Sequence, residues 1–127
     1  MKRALQFAKV DEAAIDYVNA HATSTPAGDR AEALALRSVF GSASPAVVST
    51  KGLTGHGLSL SGVLEAALTV LSLMGGFLPG NRNLKSPDEA CEGLCLPTES
   101  MDADVKLAFN NSSGFGGANV CHVLAQP

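Results

Sequence analysis

The sequence predicts an α/β domain, with a mixed sheet of about five strands and helices packed on it. Three observations carry this. Two β-branched runs, Ile15–Ala20 and Ala46–Thr50, flank a segment of helical periodicity over Asp29–Phe40. That strand–helix–strand succession calls for parallel pairing, because only a crossover can return the chain. The last third then supplies strands joined by loops alone, which adds antiparallel pairs.

In chain order, residues 1–9 read as the end of a helix, with Ala4, Leu5 and Ala8 at helical spacing. Ile15–Ala20 is the first strand. His21–Gly28 is a polar loop rich in Thr and Ser. A helix opens near Asp29 and runs to Phe40, with Gly41 where a C-cap glycine belongs. Ser42–Pro45 turns into the second strand, Ala46–Thr50. Gly52 and Gly55 mark a tight turn, and a long helix is expected from His56 to about Met74. Ser61, Glu65, Thr69 and Ser72 form a narrow polar stripe along it, on an otherwise apolar cylinder. Gly75-Gly76 ends that helix, and Leu78–Asp88 is irregular. Cys91–Leu96, Val105–Asn110 and Val120–Leu124 are the remaining strands. The last two are separated by the glycine-rich loop Asn111–Asn119.

Composition limits the functional classes. With 46% apolar and 17% charged residues the 127-residue chain is a globular domain and not a disordered one. A net charge of -3 leaves no basic face for nucleic acid. The apolar run Leu58–Met74 carries Ser59, Ser61, Glu65, Thr69 and Ser72, which argues against a membrane span. Three cysteines and no signal peptide fit free thiols in the cytoplasm.

Charge is sparse, so the titratable residues stand out. Lys51 at a strand end and His56 at the next helix start can face one cleft, the usual place for chemistry in a βα unit. A neutral His56 imidazole can donate an N–H to a developing oxyanion; a helix-capping role fits as well. His21, at the end of the first strand beside hydroxyls, is either a satisfied polar residue or a catalytic one. Glu65 either faces water with its stripe or is buried against Lys51. Other patterns fail on detail. The Asn111–Asn119 loop has Asn where a dinucleotide fingerprint needs its third glycine. Its exposed N–H groups suit an oxyanion hole or a tight corner. Gly57-Leu-Ser59-Leu-Ser61 misplaces the second glycine of a nucleophile elbow. Cys91, Cys95, Cys121 and His122 lack paired zinc spacing, so no metal site is expected.

Three motifs in order carry a resemblance: Asn19-Ala-His21-Ala-Thr23-Ser-Thr25-Pro-Ala-Gly-Asp29, Ser49-Thr-Lys51-Gly-Leu-Thr-Gly-His56, and Asn111-Ser-Ser-Gly-Phe115-Gly-Gly-Ala-Asn119. Together they resemble the β-ketoacyl-acyl-carrier-protein synthases, condensing enzymes of fatty acid and polyketide synthesis with a thiolase-like fold. The resemblance implies a decarboxylative Claisen condensation. In it, His21 and His56 stabilise the malonyl enolate, Lys51 orients the second histidine, and Glu65 pairs with that lysine. It further implies that Thr23 and Thr25 bond the phosphopantetheine arm. Phe115, with Gly116 beside it, would help form the acyl oxyanion hole and gate the acyl pocket.

The implied partner is acyl carrier protein, which brings the phosphopantetheine, so no resident cofactor is expected. The family's nucleophilic Cys, carried at a helix start in the first half of its two-part fold, has no counterpart here. The whole of residues 1–127 is therefore expected to be the C-terminal half. It would need a complementary N-terminal half, or would self-associate as a non-catalytic, carrier-binding piece. The chain departs from the family at Ala22, at Ser113 and over Leu58-Ser59-Leu60-Ser61, where Ala and Gly are usual.

Overall fold

The computed structural model describes the backbone of residues 1–127 and every side chain except that of Ser42. The elements are α1 (Lys2–Ala8), β1 (Tyr17–Asn19), α2 (Pro26–Phe40), β2 (Ala46–Val48), α3 (Lys51–Thr54), α4 (Ser61–Gly75), β3 (Phe77–Leu78), β4 (Met101–Asp102), β5 (Leu107–Ser113) and β6 (Asn119–Ala125). The main sheet has the order β2-β1-β5-β6. β1 lies parallel to both neighbours, with Val18 opposite Val47 and Phe109. β6 closes the sheet antiparallel to β5.

Successive strand residues face opposite sides, so the sheet has two different faces. Val18, Val47 and Phe109 join Leu36 and Phe40 of α2 and Leu5 of α1 in one apolar cluster. The Phe40 and Phe109 rings meet edge to face, with centroids 5.6 Å apart. On the other side Tyr17, Val48 and Ala108 pack against Leu73 of α4. That second face also carries Asn19, and α4 meets it with its polar stripe. Ser61, Glu65, Thr69 and Ser72 are all buried. The Asn19 amide donates to the Glu65 carbonyl (3.3 Å) and to Thr69 Oγ1 (3.2 Å). By length and composition Leu58–Gly75 would pass for a membrane span. Ser61, Glu65, Thr69 and Ser72 turn inward instead, with Leu73, while Val63, Leu71 and Met74 face outward.

Several expected boundaries move. α2 starts at Pro26, three residues before Asp29, because Pro at the first helical position gives up no needed N–H. β2 ends at Val48: Thr50 is already helical, and Lys51 opens the short α3. The long helix begins at Ser61, not His56. Leu58 sits in the left-handed region (φ 52°) and a 3₁₀ turn over Leu58–Leu60 intervenes. β5 runs on to Ser113, since β6 pairs with it residue by residue as far as Asn119.

Cys91–Leu96 is not a strand. It makes one bridge, between Cys95 and Ala46, and among the described residues the main sheet has four strands. Beside that bridge the Asn81 side chain covers the edge of β2. Its Oδ1 accepts from the Ser49 N–H (2.9 Å), and its amide donates to the Val47 (2.8 Å) and Pro97 (3.1 Å) carbonyls. The small β3–β4 ribbon was not anticipated.

Candidate active site

The two histidines come together just past the sheet edge formed by the ends of β1 and β2. Their ring centroids are 5.7 Å apart and their planes perpendicular. His21 follows β1 by two residues, and its position is set from α2. Both oxygens of Glu32 reach across to that turn and accept from the His21 N–H (2.8 Å) and the Ala22 N–H (2.7 Å). Asn111 on β5 donates to the same carboxylate at 2.6 Å, so one side chain ties the histidine turn to α2 and to β5. Ser49 adds a bond from its hydroxyl to the Ala22 carbonyl.

The His21 imidazole is half-buried. Burial is the main cause that pushes its pKa below the ordinary value; the nearby Lys51 charge adds to this, against Glu32 and Glu65. At neutral pH the ring is therefore uncharged, and its single N–H is available as a donor.

Lys51 ends up inside the protein, at the first turn of α3, and Glu65 comes to it from the buried stripe of α4. The ammonium and Glu65 Oε1 form an ion pair in which both side chains are almost fully buried. Of the two readings open for Glu65, burial against Lys51 is the one observed. Gly52 allows this packing: a Cβ there would stand 2.5 Å from the Arg82 carbonyl oxygen. His56 lies in the turn between α3 and α4, exposed, with Nδ1 2.8 Å from Ser61 Oγ.

A cavity of about 520 Å³ opens beside His21 and is lined in part by Thr23, Asp29, Glu32, Asn111 and Ser113. His56 does not line it. Thr23 and Thr25 approach each other through their hydroxyls (3.3 Å) at the mouth of the His21 turn. Phe115 stands fully exposed on the short turn between β5 and β6, where Gly116 and Gly117 take positive φ.

The structure thus brings together His21 and His56, and separately Lys51 and Glu65, with Lys51 close enough for its charge to act on His21. Phe115 is placed apart, on its own loop. Glu32 is the residue that sequence reasoning missed. Its partners are His21, Ala22 and Asn111, which are 11, 10 and 79 residues away. No local pattern signals such a contact.

The chain matches the model of the family described as "Beta-ketoacyl synthase, C-terminal domain" over residues 1–85. It is 46% identical over 110 residues to 3-oxoacyl-[acyl-carrier-protein] synthase 1 of Escherichia coli (strain K12), covering 87% of this chain and 27% of that protein. Its fold superposes on a β-ketoacyl synthase from Burkholderia phymatum with a TM-score of 0.94 and 36% identity, over 100% of this chain and 31% of the other. A type II polyketide ketosynthase solved in complex with its acyl carrier protein gives a TM-score of 0.93 at 26% identity, over 99% and 31%. The chain spans about a third of the length of these proteins. Its fold is accordingly the thiolase-like ketosynthase fold. With that match over two thirds of its residues, the chain belongs to the β-ketoacyl synthase C-terminal domain family.

Proposed function

We propose that the chain supplies the histidine half of a 3-oxoacyl-acyl-carrier-protein synthase site. In the reaction, the C–C bond to the malonyl carboxylate breaks and CO₂ leaves. The electron pair passes to the thioester oxygen, and the enolate carbon attacks an acyl group held on a cysteine. That cysteine departs as thiolate. His21 and His56 each aim an N–H at the enolate oxygen, which is the charge that develops in the transition state. Lys51, held by Glu65, adds a fixed positive charge behind them. Thr23 and Thr25 bond the phosphopantetheine arm, so no resident cofactor is needed. Phe115 and Gly116 lie on the loop that would furnish the acyl oxyanion hole.

The observation that carries the reading is the edge-to-face pair of imidazoles, with a buried ammonium close enough for its charge to lower the pKa of His21. The chain's own cysteines suit the nucleophile's role poorly, and this supports a nucleophile on another segment. Burial together with Asp88 and Asp29 pushes the Cys91 thiol up. The Cys121 thiol is engaged with Asn111 Oδ1, and Cys95 lies on an irregular segment. The partners are then acyl carrier protein and a complementary, cysteine-bearing N-terminal half.

The test is reconstitution. Mixed with such a half, the chain should restore condensation between an acyl thioester and malonyl-carrier protein. Replacing His21 or His56 with Ala should remove about 10²–10³-fold of it, the cost of one oxyanion donor. Restored activity that ignores both substitutions would overturn the proposal. A second reading, a non-catalytic half that self-associates or binds carrier protein, draws on the exposed apolar side of α4. It is favoured if the chain dimerises in sedimentation and retains phosphopantetheine-loaded carrier while remaining inert with every cysteine-bearing half.

A further inference from the structure

We propose that Ser61 is a positioning residue that holds His56 as the tautomer protonated on Nε2. The inference rests on the condensing role given to His56 above and adds which ring nitrogen acts. Three hydroxyls of the α4 stripe can be compared. Thr69 donates to the Glu65 carbonyl at 2.7 Å and Ser72 to the Leu68 carbonyl at 3.2 Å. This is the ordinary back-bonding of a helix hydroxyl to the turn before it. Ser61 is the first residue of α4 and does otherwise. Its buried hydroxyl lies 2.8 Å from His56 Nδ1, its one side-chain hydrogen bond among the described residues.

The turn that permits this is unusual. Leu58 adopts φ 52° without being glycine, and the 3₁₀ turn after it folds the chain so that residue 61 returns to residue 56. This is also the stretch where Leu58-Ser59-Leu60-Ser61 departs from the resembled pattern.

With its proton unclaimed by a carbonyl, Ser61 donates to Nδ1. A neutral imidazole carries one N–H, so an accepting Nδ1 leaves the proton on Nε2. That nitrogen can donate to an oxyanion. In the opposite tautomer Nε2 would turn a lone pair toward the same negative oxygen. His21 gets its orientation differently: Glu32 holds its backbone, and its buried Nδ1 has no partner. The two imidazoles are thus set by different devices.

The experiment is ring-nitrogen NMR on the full chain at a pH where His56 is neutral, comparing wild type, Ser61→Ala and Ser61→Thr. Wild type and Ser61→Thr should show an unprotonated Nδ1 and a protonated Nε2. In Ser61→Ala the two resonances should move toward each other as the tautomers mix. If Ser61→Ala does not fold, Ser61→Cys, a weak donor of similar shape, should show the same drift. In the reconstituted enzyme Ser61→Ala should lower kcat by up to about 10²-fold, no more than outright loss of one oxyanion donor, with KM little changed, and Ser61→Thr should recover it. A wild-type proton on Nδ1, or nitrogen shifts that ignore the loss of the hydroxyl, would overturn the proposal. These shifts need no turnover. A reconstituted wild type without condensation therefore counts against the enzymatic reading and leaves the Ser61 result to stand or fall on the spectra.

Discussion

α2 and α4 are both fifteen residues long and lie on opposite faces of one sheet. α2 buries Ala33, Leu36 and Phe40 and turns Arg30 and Arg37 to solvent, as a surface helix should. α4 does the reverse. It buries a serine pair, a threonine and a glutamate with Leu73, and leaves Val63, Leu71 and Met74 at 71%, 56% and 69% exposure. The difference lies in what each helix answers to. α2 faces water on its far side, so burial of apolar area decides its orientation. α4 faces a sheet surface that carries Asn19 and meets the buried Lys51 ammonium, so hydrogen bonds and one ion pair decide. Its apolar side stands exposed.

The comparison can be broken most severely at the ion pair. Glu65→Ala should cost about 3–5 kcal/mol in denaturant unfolding, because it leaves the Lys51 ammonium buried alone. The double variant Lys51→Met/Glu65→Leu should recover most of that loss, and a double-mutant cycle reads the coupling directly.

Next come the outward residues. Gln at Val63, Leu71 and Met74 together should change folding stability by no more than about 0.5 kcal/mol per site. The same changes should sharply reduce self-association in sedimentation, and block pairing with the complementary half. Unchanged association would show that the apolar side of α4 is not the contact surface.

A smaller effect belongs to His21, which is clamped by α2 and feels the charge of Lys51 from the other side. Its folded pKa lies below the ordinary value of 6.5, so the unfolded chain takes up a proton that the folded chain resists. Stability from this group is complete above that value. It declines as pH falls below it, until the folded ring protonates as well. His21→Asn should flatten that stretch of the stability–pH curve.

The least effect is expected at Arg30, whose ion pairs with Asp88 and Glu89 lie among exposed side chains. Arg30→Ala should cost about 0.5 kcal/mol or less.

The contrast also marks what could be read in advance. β1, β2, α2 and the β5–β6 pair follow from periodicity and glycine positions, because local pattern and tertiary role agree there. The stripe Ser61, Glu65, Thr69 and Ser72 was visible as a stripe. Which way it faced was not, since that depends on Asn19 and Lys51, which lie elsewhere in the chain. The start of α4 was misplaced for a related reason: Leu58 adopts a left-handed backbone angle that its residue type disfavours, and no local sequence pattern announces it. The motifs around His21 and Lys51 pointed to residues that the fold does bring close, yet the Glu32 clamp escaped because it joins the backbone of the preceding loop to Asn111 on a distant strand. The segment Cys91–Leu96 has the composition of a strand but supplies only one bridge, because an amide side chain already occupies the edge it would have used.

That amide, on Asn81, gives the sheet a polarity of growth. At the β2 end it and Cys95 consume the Val47 and Ser49 backbone groups that an incoming chain would need. At the other end β6 has no further strand beside it among the described residues. Were two copies to meet through β6, each would present its plugged margin outward, and the assembly would stop at two. An asparagine three residues beyond a short ribbon strand thus closes one margin of the sheet to further strands.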